Sequence, residues 1–238
     1  MKVLALSLTL VVAFSLSALA DFTIIQKVEG KETEGKRKTN EITLKVKGDK
    51  IRLEAAPQIT MIVDGKTGDT ITLMNAQKRI VRISGDKAKA IAEMAAKYGG
   101  TTNEKPKLVA TGKKMTVNGY EADEYVADSK MFKARYWIAP SFPNSVEIMK
   151  QLQSVIPAVW NDLAKGMVNY RDLPGFPIRT EVTVGGDNII SSVVAVKTDP
   201  LSDAEFLPPK DFQEVKIPNV EMSAEKTAPP GPPKPPKP

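Results

Sequence analysis

Residues 42–74 read ITLKVKGDKIRLEAAPQITMIVDGKTGDTITLM, and this stretch decides the fold class. Ile42, Leu44 and Val46 alternate with Thr43 and Lys45. Ile51 and Leu53 flank Arg52, Ile59, Met61 and Val63 share one parity, and Ile71 and Leu73 alternate with Thr70 and Thr72. A period of two puts alternate side chains on opposite faces of an extended chain, so each run predicts a half-buried β-strand. Gly48-Asp49, Asp64-Gly65, Gly68-Asp69 and Asn75 punctuate the runs with turn chemistry. Strands so close together leave no room for crossover helices, so they predict an antiparallel meander.

The pattern returns further along. Residues 115–126 contain Asn118-Gly119 as a turn, and residues 132–138 continue it. Residues 179–184 and 189–196, joined by Gly185-Gly186-Asp187-Asn188, predict a hairpin. Residues 189–196 are apolar or small on both parities, which predicts a central position in the sheet. Two helical segments interrupt the strands. In residues 86–98, Ile91, Met94, Ala95 and Tyr98 fall on one helical face, and Gly99-Gly100 is a stop signal. In residues 145–165, Ile148, Leu152, Val155, Val159 and Leu163 line one side. Asn144 and Glu147 have the spacing of a capping box, and Pro157 predicts a kink or split. The expected fold is mainly β (α+β): a curved antiparallel sheet or incomplete barrel, with two helical segments as plug or lid.

The ends differ from the middle. Residues 1–20 read as a signal peptide: Lys2, then an apolar run, then Ala18-Leu19-Ala20 before Asp21. The run is shorter than the roughly 20 residues of a spanning helix. Cleavage between Ala20 and Asp21 is expected, with export to the periplasm or exterior of a bacterium and no transmembrane segment in the mature chain. Residues 21–218 form one β-rich domain in this reading. Residues 219–238 hold seven prolines between 229 and 238, with Lys226, Lys234 and Lys237. Proline removes backbone donors, so this stretch reads as an extended, disordered tail. It is either a docking tail for an envelope partner or a solvated spacer.

Composition excludes much chemistry. The chain has 238 residues, 34 Lys+Arg against 28 Asp+Glu, and neither His nor Cys. It therefore has no disulfide, no thiolate nucleophile, no Ser-His-Asp triad and no imidazole or thiolate metal ligand. Gly30 to Arg37 has P-loop spacing but ends in Arg where a hydroxyl should hold magnesium. Ser84-Gly85-Asp86-Lys87 and Lys66-Thr67-Gly68 match two motifs of serine penicillin-binding enzymes in reversed order, without the third. Ser84 fits better as a helix start. Asp64, Asp69, Glu121, Asp123 and Glu124 are candidate acids, but acids alternating on a strand usually form its solvated face. No cofactor or metal is expected, no nucleic-acid partner, and no enzymatic activity.

Five segments carry a family resemblance. They are Gly48-Asp49-Lys50-Ile51-Arg52-Leu53-Glu54, Asn118-Gly119-Tyr120-Glu121-Ala122-Asp123-Glu124-Tyr125, Tyr136-Trp137-Ile138-Ala139, Gly175-Phe176-Pro177-Ile178-Arg179 and Glu205-Phe206-Leu207-Pro208-Pro209. Together with the element order, they resemble an uncharacterised family of secreted bacterial proteins. That family is similar in build to the periplasmic lipoprotein carriers of the Lol type. The resemblance implies a half-barrel around a hydrophobic hollow, with helices that plug or cover it.

Methionine suits surfaces that accept varied apolar partners. A lipid or other hydrophobic ligand would meet Met61, Met74 and Trp137 on strands, with Ile91, Met94, Met149, Leu152 and Trp160 on the helices closing the hollow. The same residues would also serve an ordinary packed core. Lys45, Lys47, Lys50 and Arg52 form an outward cationic series that would hold a headgroup or anion, or else guard a strand edge. The leading expectation is an exported, non-catalytic binding protein. The alternative is an envelope structural or interaction protein, acting through this basic edge and the proline-rich tail.

Overall fold

The structure, a computed structural model, describes residues 21–31, 37–98, 106–129, 132–157 and 168–215. The expected signal peptide, Gly99-Gly100, Val159, Trp160, Leu163 and the proline-rich tail lie outside the described residues.

The strands are β1 (Phe22–Lys31), β2 (Arg37–Lys47), β3 (Lys50–Ala56), β4 (Ile59–Asp64), β5 (Thr70–Met74), β6 (Arg79–Ile83), β7 (Leu108–Val117), β8 (Tyr120–Asp128), β9 (Phe132–Ile138), β10 (Pro177–Val184), β11 (Asp187–Lys197) and β12 (Gln213–Glu214). They form one sheet in the order β12-β6-β5-β4-β3-β2-β1-β11-β10-β9-β8-β7. The sheet is curved and open, not closed into a barrel. Neighbours are antiparallel except β12, which lies parallel to β6. The meander over residues 42–74 is as expected, and it extends on both sides through β1 and β6. The predicted hairpin is β10–β11, with Gly185 and Gly186 at φ of +59° and +91° in its turn, a conformation that glycine adopts without a Cβ penalty. As its composition suggested, β11 is central, between β1 and β10.

Two meanders are thus stitched together by β1 and β11, with Thr23 opposite Lys197 and Ile24 opposite Val196. Bulges between Ile25 and Gln26, near Ala110–Lys114, and between Pro177 and Arg179 interrupt the ladders. Bulges increase local twist and help a sheet to curve.

Two helices follow the strands: α1 (Gly85–Tyr98) and α2 (Ser145–Val155). The Ser84 hydroxyl accepts the Lys87 N–H at 3.3 Å, so Ser84 begins α1 as expected. Asn144 occupies the N-cap position of α2 but does not form the predicted capping box. It sits at φ 55° and its side chain makes no capping hydrogen bond. Its carbonyl accepts the Ile148 N–H at 2.9 Å instead. Helix α2 ends at Val155, just before Pro157, which has no N–H to continue the ladder.

The main core joins Ile148, Leu152 and Val155 of α2 to Phe22 and Ile24 of β1, Val46 of β2, Ile51 of β3, Val63 of β4, Ile178 of β10 and Val193 of β11. Met149 of α2 packs in a second cluster with Ile138 and Leu173, alongside Tyr125 and Tyr136. A helix that reaches both meanders in this way is a plug. Gly65 shows how closely its end approaches the sheet: a Cβ there would lie 2.3 Å from the Val155 carbonyl oxygen.

Candidate functional site

Residues directly opposite one another in an antiparallel ladder share a face. The face of β1–β4 that bears Phe22, Ile24, Val46, Ile51 and Val63 packs on α2 and is the inner face. Pairing extends it across β3–β6 in three rows. Ile51, Val63, Thr70 and Ile83 form the first, and Leu53, Met61, Thr72 and Val81 the second. Ile59, Met74 and Arg79 form the third.

Burial falls along these rows. Ile51 and Val63 are buried where α2 ends. Leu53, Met61, Thr72 and Val81 are half-buried. In the third row Met74 is half-buried, Ile59 is 45% exposed and Arg79 is exposed. The inner face is therefore plugged at one end and presents an apolar trough at the other. The trough is built by alternation: Leu53, Ile59, Met61, Met74 and Val81 face inward with Thr72 and Arg79, while Ile62, Ile71, Leu73 and Ile80 face outward under the residues near Phe206.

Helix α1 leaves β6 at the plugged end. Ala88 is buried, while Ile91 is 41% exposed and Met94 38%. Its apolar stripe has not been absorbed into any of the core clusters of described residues.

The predicted hydrophobic residues thus separate into three groups. Met61 and Met74 line the trough. Ile91 and Met94 form an exposed stripe on α1. Trp137, Met149 and Leu152 are packed core, at 7%, 6% and 3% exposure. These last three are buried between helix and sheet: α2 carries Met149 and Leu152, and Trp137 lies in the same main cluster as Leu152. Trp160 lies outside the described residues. Two buried donors, Trp137 Nε1 and Gln151 Nε2, make no hydrogen bond.

The cationic series lies on one outer face of the sheet. Lys45, Lys47, Lys50 and Arg52 lie on β2 and β3, which are internal strands, so they guard no edge. They face away from the trough, because Lys45 pairs with Arg52 and Arg52 with Ile62, whose side chain is in the outer cluster. Three of the four are already engaged by the chain's own later residues. Lys45 Nζ lies 2.6 Å from Glu205 Oε2. Lys47 Nζ donates to the Leu201 carbonyl at 2.5 Å and lies 3.1 Å from Asp203. Arg52 donates to the Glu205 carbonyl at 2.8 Å and pairs with Glu54 at 2.7 Å. Lys45, assisted by the Ser202 N–H, holds the Glu205 carboxyl below the usual carboxylate range.

These cations anchor a C-terminal strap across the outer face. Ser202 and Glu205 form a capping box around the 3₁₀ turn Asp203–Phe206. Phe206 is buried against Ile62, Leu73 and Ile80, with Leu201 and Phe212 alongside. Lys78 pairs with Asp211 at 2.8 Å just before β12, and Arg82 with Glu214 of β12 at 3.0 Å. At the near end Asp21 Oδ2 accepts the Leu201 N–H at 2.8 Å. The strap was missed in the sequence, although its S-x-x-E capping signal was there to be read. A pocket of about 370 Å³ beside Phe206 is lined by Lys50, Asp64, Asp69 and Arg82 over Ile62 and Ile71.

The residues of the enzyme-like fragments make contacts within the fold. Ser84 caps α1, and Lys66 pairs with Asp49 at 2.7 Å, which raises its pKa. Asp64 Oδ1 accepts the Lys66 and Thr67 N–H groups, and Asp69 Oδ1 accepts the Gly85 N–H. Glu124 is buried, and it bonds Thr111 at 2.6 Å and Arg135 at 2.6 Å. Arg135 continues to Glu181 at 2.8 Å, a neutralised ladder rather than a free acid pair. Among the described residues, no group of acids could hold a metal ion, and no helix is long and apolar enough to cross a membrane.

No curated protein matches the chain. Solved structures similar to it include PNGF-II, with TM-score 0.40 and 15% identity, over 80% of this chain and 30% of that one. A LolA superfamily protein from Nitrosomonas europaea has TM-score 0.34 and 11% identity, over 79% and 90% of the two chains. The Mycobacterium tuberculosis lipoprotein LppX has TM-score 0.36 and 11% identity, over 77% and 89%. The chain spans less than a third of the first of these. The family model described as a domain of unknown function (DUF4412) matches residues 28–212, and the chain belongs to that family.

Proposed function

We propose that this protein is an exported, non-catalytic binding protein for a lipid or another hydrophobic molecule. In this reading residues 1–20 are removed on export to the periplasm or beyond, residues 21–218 act as one unit, and residues 219–238 are an extended tail. The observation that carries it is the inner-face trough beyond α2, where Ile59, Met61 and Met74 remain partly or largely exposed. Contiguous exposed apolar surface of this kind marks ligand grooves and interaction sites more than scattered apolar residues do. An acyl chain laid there gains about 0.8 kcal/mol for each methylene buried. The exposed Ile91 and Met94 of α1 add a second apolar surface that the core clusters of described residues leave unburied, and in this reading it serves as the cover. The plug would set the depth of the hollow, so Trp137, Met149 and Leu152 act by packing, and the ligand meets Met61, Met74, Ile91 and Met94.

The test is native mass spectrometry of the protein purified from a bacterial periplasm, with lipid extraction of the same sample. Excess mass that resolves into lipid species is the expected result. A bare mass, with no uptake when lipids are offered, would overturn the proposal.

A further inference from the structure

Arg79 is the charged residue among the inward-facing positions of β3–β6. Its partners in the ladder show the placement: Arg79 stands opposite Met74, and Met74 opposite Ile59, so all three share the outermost row of the trough. Every other inward position of these strands that pairing defines is apolar or a threonine: Ile51, Leu53, Ala56 (opposite Ile59, after a bulge), Met61, Val63, Thr70, Thr72, Val81 and Ile83. Arg79 is exposed, and no hydrogen bond or ion pair engages it among the described residues. Its neighbours differ. Lys78 and Arg82 face outward and are paired with Asp211 and Glu214 of the strap. The strap therefore pairs with Lys78, just before β6, and with Arg82 on the outer side of β6, and leaves Arg79 on its inner side available.

We infer that Arg79 receives the headgroup of an anionic acyl amphiphile whose chain lies along the trough. This rests on the proposed hydrophobic-ligand reading and names the ligand class for it. Guanidinium presents two parallel N–H donors to a carboxylate or phosphate. From Arg79 the apolar path crosses β5, β4 and β3 through Met74, Ile59, Met61 and Leu53 to Leu44 on β2. Four strand intervals of about 4.8 Å make roughly 19 Å, enough for a long acyl chain laid across the strands. Head and tail then meet matched chemistry at once. Lys45, Lys47 and Arg52 are excluded from this role by their outward direction and their acidic partners.

The test compares three probes that share one oleyl chain: oleate, oleoyl lysophosphatidate and neutral oleyl alcohol. Each is titrated into the full chain and into Arg79→Gln, Arg79→Lys and Lys45→Gln, with folding checked by circular dichroism. Wild type should bind at least one anionic probe about tenfold more tightly than the alcohol. Arg79→Gln should lose that preference with the alcohol's affinity unchanged, Arg79→Lys should keep part of it, and Lys45→Gln should keep all of it. A stronger response to oleate marks a fatty-acid source, and a stronger response to lysophosphatidate marks a phospholipid one. Equal affinity for all three probes, unchanged in Arg79→Gln, overturns the inference and leaves the hydrophobic-ligand reading standing. Failure of every probe to bind wild type overturns that reading as well.

Discussion

Met74 and Leu152 are the two residues whose substitution separates trough from plug. Leu152 is 3% exposed and lies in the main core. Its truncation to alanine removes buried methylenes and leaves a cavity between helix and sheet, at about 2–5 kcal/mol. Met74 is half-buried and borders the open row. Full burial of a methionine side chain is worth roughly 1.5–3 kcal/mol, so losing half of one costs about 1 kcal/mol. In Met74→Asp the carboxylate stays in contact with water, so no large penalty for a buried charge is added. With ligand bound, the same carboxylate is covered by the acyl chain. Two or three methylenes lose their apolar contact at about 0.8 kcal/mol each, roughly a thirtyfold loss of affinity before any desolvation cost. Urea unfolding followed by circular dichroism gives the first quantity, and oleyl-probe titration gives the second. Leu152→Ala should lower the unfolding midpoint strongly, while Met74→Asp lowers it slightly and loses binding. If Met74→Asp destabilises the chain as much as Leu152→Ala does, Met74 is packed core and the trough is not a site.

Gly65→Ala should cost about 1–3 kcal/mol in the same unfolding assay. Its new Cβ would meet the Val155 carbonyl oxygen at 2.3 Å and the Asp49 carbonyl oxygen at 2.9 Å, whereas Gly30→Ala, with nothing within 4 Å, should be near neutral. Glu205 has its folded pKa pulled below its ordinary 4.5 by Lys45 first and by the Ser202 N–H second. Its contribution is present above 4.5 and is lost as pH falls through the lower folded value, so Glu205→Gln should flatten the acid limb of the stability profile. An unchanged acid limb would show that the Lys45–Glu205 pair contributes nothing. Burial, with Tyr170 nearby, pushes the Tyr136 phenol from 10.0 up to about 12. Its contribution is complete below pH 10.0 and is lost as pH rises towards 12. Tyr136→Phe should reduce the alkaline slope in that window, measured by urea midpoints across pH.

The alternation of Ile42, Leu44 and Val46 with Thr43 and Lys45, and the glycine-bearing turns after them, determined the strands, their sense and the meander without help from the rest of the chain. Such signals are local: side-chain period and turn conformation involve neighbours a few residues apart. The same holds for the β10–β11 hairpin and for Ser84 at the start of α1. A period of two shows that a strand has two faces, but not which one a distant element covers. Leu152 and Met74 are both apolar residues on amphipathic elements. Only the docking of α2 onto β1–β4 made one the plug and the other the lining of a trough. Lys45 and Arg52 read as an available cationic face until residues 201–206, some 150 positions later, brought Glu205 and Asp203 onto it. Arg79 carried no local signal at all, because its inward direction follows from the register of β5 against β6. Pairing of Thr23 with Lys197 likewise joins the two meanders across most of the chain. Such contacts depend on loop closure and on the packing of complementary faces, which the tertiary structure alone decides.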